Sequence, residues 1–167
     1  NKLFALLMEH CPNLRSLNLA KNGTLTKAAI IKALSSDLPL TFNELEVLNI
    51  SECSHLREVR FHAPKLQHFL ASDCPALAKI RLPGTTSLKT LDLRNAHSLP
   101  VLMFSDLLQN HNQTLTQVQT EGARNLPIIS KIDFKEIKFP LEADNLKRFN
   151  EHLKKATEDN DPEAQYQ

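Results

Sequence analysis

The chain is poor in aromatic residues, with no tryptophan and one tyrosine in 167 residues. Its charge is nearly balanced, with 20 basic and 19 acidic residues. A protein dedicated to nucleic acid carries a basic excess, and one that stacks single-stranded bases sets aromatic rings among its basic groups. We therefore expect no nucleic-acid partner. No apolar run approaches the roughly 20 residues that cross a bilayer, so we expect no membrane partner either.

Motifs that carry catalysis or hold a cofactor are also missing. The only glycines are Gly23, Gly84 and Gly122, which leaves no phosphate-binding loop, and GxSxG does not occur. The seven histidines form no HExxH motif and no pair spaced four residues apart. We expect no enzyme activity, no metal and no cofactor. The competing enzyme hypothesis is that His68 acts together with Asp92.

The three cysteines are an odd number and include no CxxC pair. Cys53 and Cys74 close two copies of a repeated apolar pattern, and Cys11 stands three residues before a repeat leucine. We interpret all three as structural side chains in turns rather than as a disulfide or a metal site. This usage favours a reducing compartment, and we expect a cytoplasmic location.

The repeated pattern is LxxLxLxx followed by Asn or Cys, as in LEVLNISEC at residues 45–53. In LxL the two leucines are two residues apart, so both side chains point to the same side of an extended strand. Copies begin at residues 14, 45, 66, 88 and 115, which are separated by 31, 21, 22 and 27 residues, and a worn copy covers 129–134. One copy cannot bury its own apolar face, so the pattern predicts a stacked array.

The pattern and its spacing resemble the leucine-rich repeat family, whose repeats have roughly 20–29 residues. The resemblance covers residues 1–137. It implies an α/β fold, a leucine-rich repeat solenoid with a curved parallel sheet on the concave side and mixed short strands and helices on the convex side. We expect this solenoid at residues 1–140, a C-terminal capping helix at 141–157 and an acidic, disordered tail at 158–167.

The segments between the copies predict the other side of the array. Residues 27–38 have apolar residues at helical spacing and predict a helix. A second apolar register, LREVRF at 56–61, LAKIRL at 77–82 and less clearly LPVLMF at 99–104, predicts strands opposite the main ones. Residues 101–111 also have helical spacing, with Ser105 or Asp106 as candidate caps.

The main register is assigned to the concave sheet because of the residues that close each copy. Cys53 and Cys74 close the main register, whereas Pro64 and Thr85 close the second one. A small polar side chain in this place can satisfy turn backbone groups that have no strand partner. We expect that Pro64 and Thr85 do not serve their turns in the same way.

The candidate binding surface consists of the residues between the repeat leucines, which point outward in ladders about 4.8 Å apart. We expect Leu70 and Val47 to be exposed near its middle and ringed by polar groups, which suits a protein partner. The alternative is a solvated face that binds nothing. The predicted partner-binding residues are Arg15, Asn18, Glu46, Asn49, Gln67, His68, Leu70, Asp92, Arg94 and Gln119.

A second surface candidate is a basic stripe on the other register. It could meet an acidic protein, RNA or lipid headgroups, but a solvated face is the preferred interpretation because no aromatic residues are interleaved. The stripe comprises Arg57, Arg60, His62, Lys65, Lys79 and Arg81.

The leading hypothesis for function is a non-enzymatic protein–protein interaction module. The mixture of short and helical repeats with an acidic tail is similar to leucine-rich repeat effectors of intracellular bacteria such as Legionella. In those effectors a Glu-rich C-terminal stretch can act as a translocation signal, which Glu151, Glu158 and Glu163 with Tyr166 resemble weakly. We expect the chain to be a monomer by itself. The resemblance implies delivery into the host cytoplasm and binding, or inhibition, of a host protein or fellow effector, including an enzyme.

The alternative hypothesis is a substrate-recognition adaptor of a ubiquitin ligase. It is based on CPNLRSLNL at residues 11–19, which resembles the cysteine-containing repeat subtype found behind F-boxes. An F-box or catalytic part would then lie outside this chain.

Overall fold

The computed structural model describes residues 6–7, 9–21 and 40–126. Within these residues the chain is an α/β structure whose strands are parallel, as the sequence predicts. Residues 6, 7, 9 and 10 are helical. The further elements, in chain order, are β1 (Ser16–Asn18), β2 (Leu40–Thr41), β3 (Val47–Asn49), β4 (Glu58–His62), β5 (His68–Leu70), β6 (Lys79–Arg81), β7 (Thr90–Asp92), α1 (Val101–His111) and β8 (Gln117–Gln119).

The strands alternate along the chain between two parallel sheets. Sheet A has five strands in the order β1-β3-β5-β7-β8, and sheet B has three in the order β2-β4-β6. Successive strands of sheet A are therefore joined through one strand of sheet B or, between β7 and β8, through α1. The register aligns Leu17, Leu48, Phe69, Leu91 and Val118 across sheet A. These residues are separated by the 31, 21, 22 and 27 positions seen in the sequence pattern.

One hydrophobic core joins the two sheets. Leu48 and Phe69 of sheet A and Val59 of sheet B are each at 0 % exposure and belong to the same buried cluster. Within sheet B the rings of Phe42 and Phe61 stack with their centroids 5.8 Å apart. Because each strand contributes one face to this cluster, alternate residues along a strand are buried and outward-facing, as in the intermediate–buried pattern of β4.

The second apolar register is confirmed at two of its three copies. Residues 56–61 overlap β4 and residues 77–82 contain β6, but residues 99–104 do not form a strand, because α1 begins there. The buried positions Phe104, Leu107, Leu108 and His111 have helical spacing, and the longer gap of 27 residues has room for a helix. The predicted caps Ser105 and Asp106 are wrong, since α1 follows Pro100 with no side-chain cap bond.

Each strand of sheet A leads into a turn whose backbone is left-handed at one equivalent position. Only glycine adopts this conformation at no steric cost, and other residues lose roughly 1–2 kcal/mol there. The amide N–H groups at three of these positions each donate to a carbonyl of the next repeat at 2.8–3.0 Å, which offsets that cost. The residues concerned are Lys21, Glu52, Asp73, Asn95 and Gly122, with φ of 56°, 64°, 57°, 59° and 73°.

The closing residues of both registers form hydrogen bonds to neighbouring repeats. The thiol of Cys74 donates to the carbonyl of Ile50 at 3.2 Å, and its burial raises its pKa to about 12, which keeps it protonated as a donor. In sheet B the hydroxyl of Thr85 donates to the carbonyl of Ala63 at 2.9 Å. The expectation that Thr85 cannot serve its turn is therefore wrong, because a hydroxyl donates as readily as a thiol.

Several sequence predictions lie outside the described residues. These are the helix at 27–38, the worn copy at 129–134, the C-terminal capping helix at 141–157 and the tail at 158–167.

Truncation of a core leucine tests the alignment of sheet A. Leu91→Ala removes a side chain with 0 % exposure from the middle of the sheet and should cost roughly 2–5 kcal/mol of unfolding free energy, measured by urea denaturation. The matched control is Leu102→Ala on α1, where the side chain is 62 % exposed and the change should stay within about 0.5 kcal/mol. Equal costs at the two sites would contradict the alignment.

Candidate functional site

The outer face of sheet A presents two rows of side chains that alternate with its buried row. The strand register aligns the first and the last residue of each strand with those of its neighbours, as the ladder prediction requires. Adjacent strands lie about 4.8 Å apart, so each row is a closely spaced line of groups. The first row is Ser16, Val47, His68, Thr90 and Gln117, and the second is Asn18, Asn49, Leu70, Asp92 and Gln119.

Exposure decreases from the β1 end of the outer face toward its interior. Asn18 is exposed, Asn49 and Gln119 are half-buried, and Asp92 is only 4 % exposed. Leu70 is half-buried as well, and so is Val47 in the first row. The prediction that these two apolar residues are exposed is therefore met only in part.

Three side chains of the second row also accept hydrogen bonds from the backbone of the turn that follows their strand. Asn18 Oδ1 and Asn49 Oδ1 each accept the backbone N–H two residues later at 3.0 Å, and Asp92 Oδ1 accepts that of Arg94 at 3.2 Å. From the sequence, these residues are predicted only to bind a partner. The signal for the structural role is the recurrence of Asn or Asp at one repeat position, because these side chains readily hydrogen-bond to backbone two residues on.

Asp92 and Arg94 form an ion pair with two hydrogen bonds. Arg94 Nε donates to Asp92 Oδ1 at 2.9 Å, and Nη2 donates to Oδ2 at 2.7 Å. The bonds to this carboxylate raise the pKa of Arg94. The carboxylate is 6 % exposed and the guanidinium 46 % exposed, so Arg94 covers Asp92. Asp92 thus lies in the ladder as the sequence predicts, but its carboxylate is covered by Arg94 instead of being open to a partner.

His68 lies on the first row, where its neighbour on the next strand is Thr90. Its Nδ1 is 3.0 Å from Thr90 Oγ1, with the donor set by the tautomer. The enzyme hypothesis joins His68 to Asp92, but the carboxylate of Asp92 hydrogen-bonds to Arg94. The structure therefore does not bring the two residues together as a histidine–carboxylate pair.

Arg15, Glu46 and Gln67 border the outer face at the residue before each strand. The carbonyl of Arg15 accepts the N–H groups of Glu46 and Val47 at 2.7 and 2.9 Å, and the carbonyls of Glu46 and Gln67 accept the corresponding pairs. The side chains of Arg15 and Glu46 form an ion pair at 4.0 Å, with 72 % and 37 % exposure. An exposed pair of this kind contributes about 0–1 kcal/mol, so both side chains are available for contacts with a partner.

The basic stripe on sheet B is less positive than the sequence suggests. Lys65 Nζ donates to both carboxylate oxygens of Glu44, at 2.7 and 2.8 Å, and Arg81 Nε lies 3.7 Å from Glu58 Oε1. His62 Nδ1 is 3.0 Å from the carbonyl oxygen of Pro83. Neighbouring acidic groups therefore offset part of the positive charge of the stripe.

His111, the last residue of α1, is a buried polar side chain away from sheet A. It is 5 % exposed, and burial lowers the pKa of its imidazole, which is neutral at pH 7. Its Nδ1 is buried and, within the described residues, has no hydrogen-bond partner. From the sequence, His111 is only one of the histidines without a motif, because nothing in the local sequence indicates its burial.

Residues 6–7, 9–21 and 40–126 contain no group of three His, Cys, Asp or Glu side chains placed to hold a metal ion. No helix in these ranges is long and apolar enough to cross a membrane, and α1 has 11 residues.

A scan against protein-family models, a search of curated proteins and a search of solved structures each found no match for this chain. Inference about function therefore depends on the surfaces described above.

Substitution of Asp92 tests whether its ion pair with Arg94 and its turn bond stabilise the fold. Asp92→Ala removes the turn bond and both bonds to Arg94, and should cost about 1–3 kcal/mol of unfolding free energy. Gln119→Ala, next in the same row, is the matched control and should change stability by less than about 0.5 kcal/mol. Urea denaturation measures both, and an Asp92→Ala protein as stable as the control would contradict the structural role.

Stability should depend on pH through His111. Because its folded-state pKa is lowered, the unfolded state takes up a proton first as the pH falls below the ordinary value of about 6.5. The stability present above that value is therefore lost on acidification. His111→Gln cannot be protonated, so the wild-type chain should lose stability relative to this variant between about pH 7.5 and pH 5.5. Parallel curves from thermal unfolding would contradict the assignment.

Proposed function

We propose that this chain is a leucine-rich repeat solenoid whose concave side is sheet A. The repeated LxxLxLxx pattern, the alternation of strands between two parallel sheets and the matching spacing of the register support this proposal. Such arrays bind through the face of their continuous parallel sheet because it presents aligned rows of side chains on a rigid support.

We further propose that the chain is a non-enzymatic module that binds another protein through the outer face of sheet A. The observation that carries this proposal is Leu70. At the equivalent position Asn18, Asn49 and Asp92 fasten the following turn, whereas a leucine side chain cannot accept that hydrogen bond. A half-buried leucine where the turn favours Asn or Asp has no structural advantage, and contact with a partner explains it.

The surroundings of Leu70 suit a protein partner. Val47 is a second half-buried apolar residue on the same face, and Asn49 and His68 flank the two with hydrogen-bonding groups. Charges of both signs lie at the margins, as in Arg15 and Glu46. Apolar anchors within a polar rim are typical of protein–protein interfaces. In this proposal the side chains of Gln67, Arg94 and Gln119 complete the rim.

The biological setting in this proposal is that of a bacterial effector. The resemblance to effectors of intracellular bacteria supports delivery into the host cytoplasm, where the chain would bind a host protein or a fellow effector. Docking over the cleft of an enzyme would inhibit that enzyme. The adaptor hypothesis predicts a different partner, a substrate of a ubiquitin ligase, and needs further parts of a ligase in the same gene product.

Substitution of Leu70 tests the binding face. In a pull-down from host lysate and from the proteome of the source organism, Leu70→Arg should abolish capture of a specific partner, since a charge replaces the proposed anchor. Leu70→Asn is the sharper variant: it restores the residue type of the neighbouring repeats, so it should leave thermal stability unchanged or raised while still weakening binding. Leu102→Arg, at the exposed position on α1, is the matched control and should capture the partner as the wild type does.

The outcomes separate the hypotheses. A partner lost with both Leu70 variants and kept with Leu102→Arg would support binding through sheet A, and its identity would distinguish an effector target from a ligase substrate. A partner that all three variants retain would contradict this binding face. A loss of stability in Leu70→Asn would show that Leu70 is a core residue and remove the main support for the proposal.

A further inference from the structure

The turn after β7 does not need the charge that Asp92 brings to it. In the turns after β1 and β3, Asn18 and Asn49 accept the backbone N–H two residues later at 3.0 Å with a neutral amide oxygen. Asp92 makes the same bond at 3.2 Å, but its side chain is charged and only 6 % exposed. Removing a charge from water costs free energy unless a partner of opposite sign offsets that cost. The carboxylate is therefore explained by its bonds to Arg94 and not by the turn.

Arg94 is held through its backbone and through its side chain. Its N–H donates to Asp92 Oδ1, and its carbonyl accepts the N–H of Asp73 at 2.8 Å. Its guanidinium donates to both carboxylate oxygens of Asp92, at 2.9 and 2.7 Å. A side chain that is already fixed loses less conformational entropy when a partner binds. Arg94 is thus preorganised, whereas Arg15 on the same face is 72 % exposed and forms a looser ion pair of 4.0 Å.

The guanidinium of Arg94 has donors left for a partner. A guanidinium carries five N–H groups, and the bonds to Asp92 use one at Nε and one at Nη2. The other N–H groups have no partner within the described residues, and the side chain is 46 % exposed. Asp92 is the register partner of Leu70, so the guanidinium bonded to it lies about one strand spacing from Leu70. Directional donors therefore lie beside the proposed apolar anchor.

The charges around Arg94 disfavour an acidic partner group. The hydrogen bonds to Asp92 raise the pKa of Arg94, and the charges of Asp92, Glu121 and Asp73 raise it further. One cation is thus surrounded by three carboxylates. Their negative excess repels another carboxylate, whereas a main-chain carbonyl accepts from Arg94 without adding charge. A basic side chain would reduce the excess, since Asp73 and Glu121 are exposed.

We propose that Arg94 is the specificity-determining residue of the outer face of sheet A and that Asp92 is its positioning residue. The occupant is a basic segment of a partner protein that packs an apolar side chain on Leu70 and gives a main-chain carbonyl oxygen to Arg94. A lysine or arginine of this segment lies toward Asp73 and Glu121. The inference rests on the proposed function, because it uses the same face and the same apolar anchor.

A peptide library supplies the probe. Phage-displayed random twelve-residue peptides are selected on the immobilised full chain, and the clones that lose binding to Leu70→Asn are made as fluorescently labelled peptides. These peptides should combine apolar and basic residues and be depleted of Asp and Glu. Fluorescence anisotropy then measures their affinity for the wild-type chain and for each variant.

Charge-conserving variants separate Arg94 from general charge attraction. Arg94→Lys keeps the positive charge but loses the planar group that binds Asp92 through two bonds, and it should weaken peptide binding at least about tenfold. Lys89→Arg, at the exposed residue before β7, is the matched control and should leave affinity within about twofold.

Asp92→Asn tests positioning. Asparagine keeps the turn bond, as in the neighbouring repeats, but its neutral amide does not hold the guanidinium. Residue 92 is 4 % exposed, so a purely structural role predicts unchanged affinity in a folded variant, whereas positioning predicts a loss of at least about tenfold. In the double variant with Arg94→Lys the loss should be no greater than with Arg94→Lys alone, because the two residues act as a unit.

The free chain provides a second readout that needs no peptide. In ¹⁵N NMR spectra the Nε–H of Arg94 should exchange with water at least about tenfold more slowly than that of Arg15, because it is bonded to Asp92. Asp92→Asn should abolish this difference.

The outcomes separate this inference from the proposed function. Leu70-dependent peptides that bind Arg94→Lys as tightly as the wild type would overturn the inference and leave the proposed function intact. The same conclusion would follow from peptides rich in Asp or Glu, or from an Arg94 Nε–H that exchanges as fast as that of Arg15. A library without any Leu70-dependent clone would contradict both.

Discussion

The three-residue strands of sheet A are too short to be stable by themselves, and each depends on backbone pairing with the strands beside it. Pairing in register also brings the buried row together, from Leu17 at one edge to Val118 at the other. A slip of one residue would turn that row to solvent, so the apolar pattern and the hydrogen bonds specify the same alignment. Every outward-facing side chain is thereby held at a set place in a row.

The turns between the paired strands also limit which outer-face side chains are available to bind a partner. Each sheet A strand is followed by a turn with one left-handed residue. In three of these turns the side-chain oxygen of Asn18, Asn49 or Asp92 accepts a backbone N–H just before that residue. Arg94 covers Asp92 and so takes that carboxylate out of contact. The candidate binding surface therefore consists of the outer-face residues that do not stabilise a turn. Among these residues, Leu70 gives the strongest indication of a partner.

The helical return between β7 and β8 affects sheet B, on the other side of the core. Within the described residues sheet B ends at β6, beside α1, and His111 is buried at the end of this helix. The same stacking that makes sheet A continuous thus makes sheet B discontinuous.

The apolar spacing predicted the alignment of the ladder residues and the helix at 101–111, because burial imposes a period that is visible in the chain, and the family resemblance implied the parallel α/β arrangement. It also assigned ten residues to one surface, but it did not reveal the pairing of Asp92 with Arg94, the half-burial of Leu70 or the hydrogen bond of Thr85. These features were decided by the tertiary structure, because each depends on how close a neighbouring repeat comes. A sequence period specifies which side of a strand a residue occupies, whereas contacts with the adjacent strands decide whether its side chain is exposed, covered or paired.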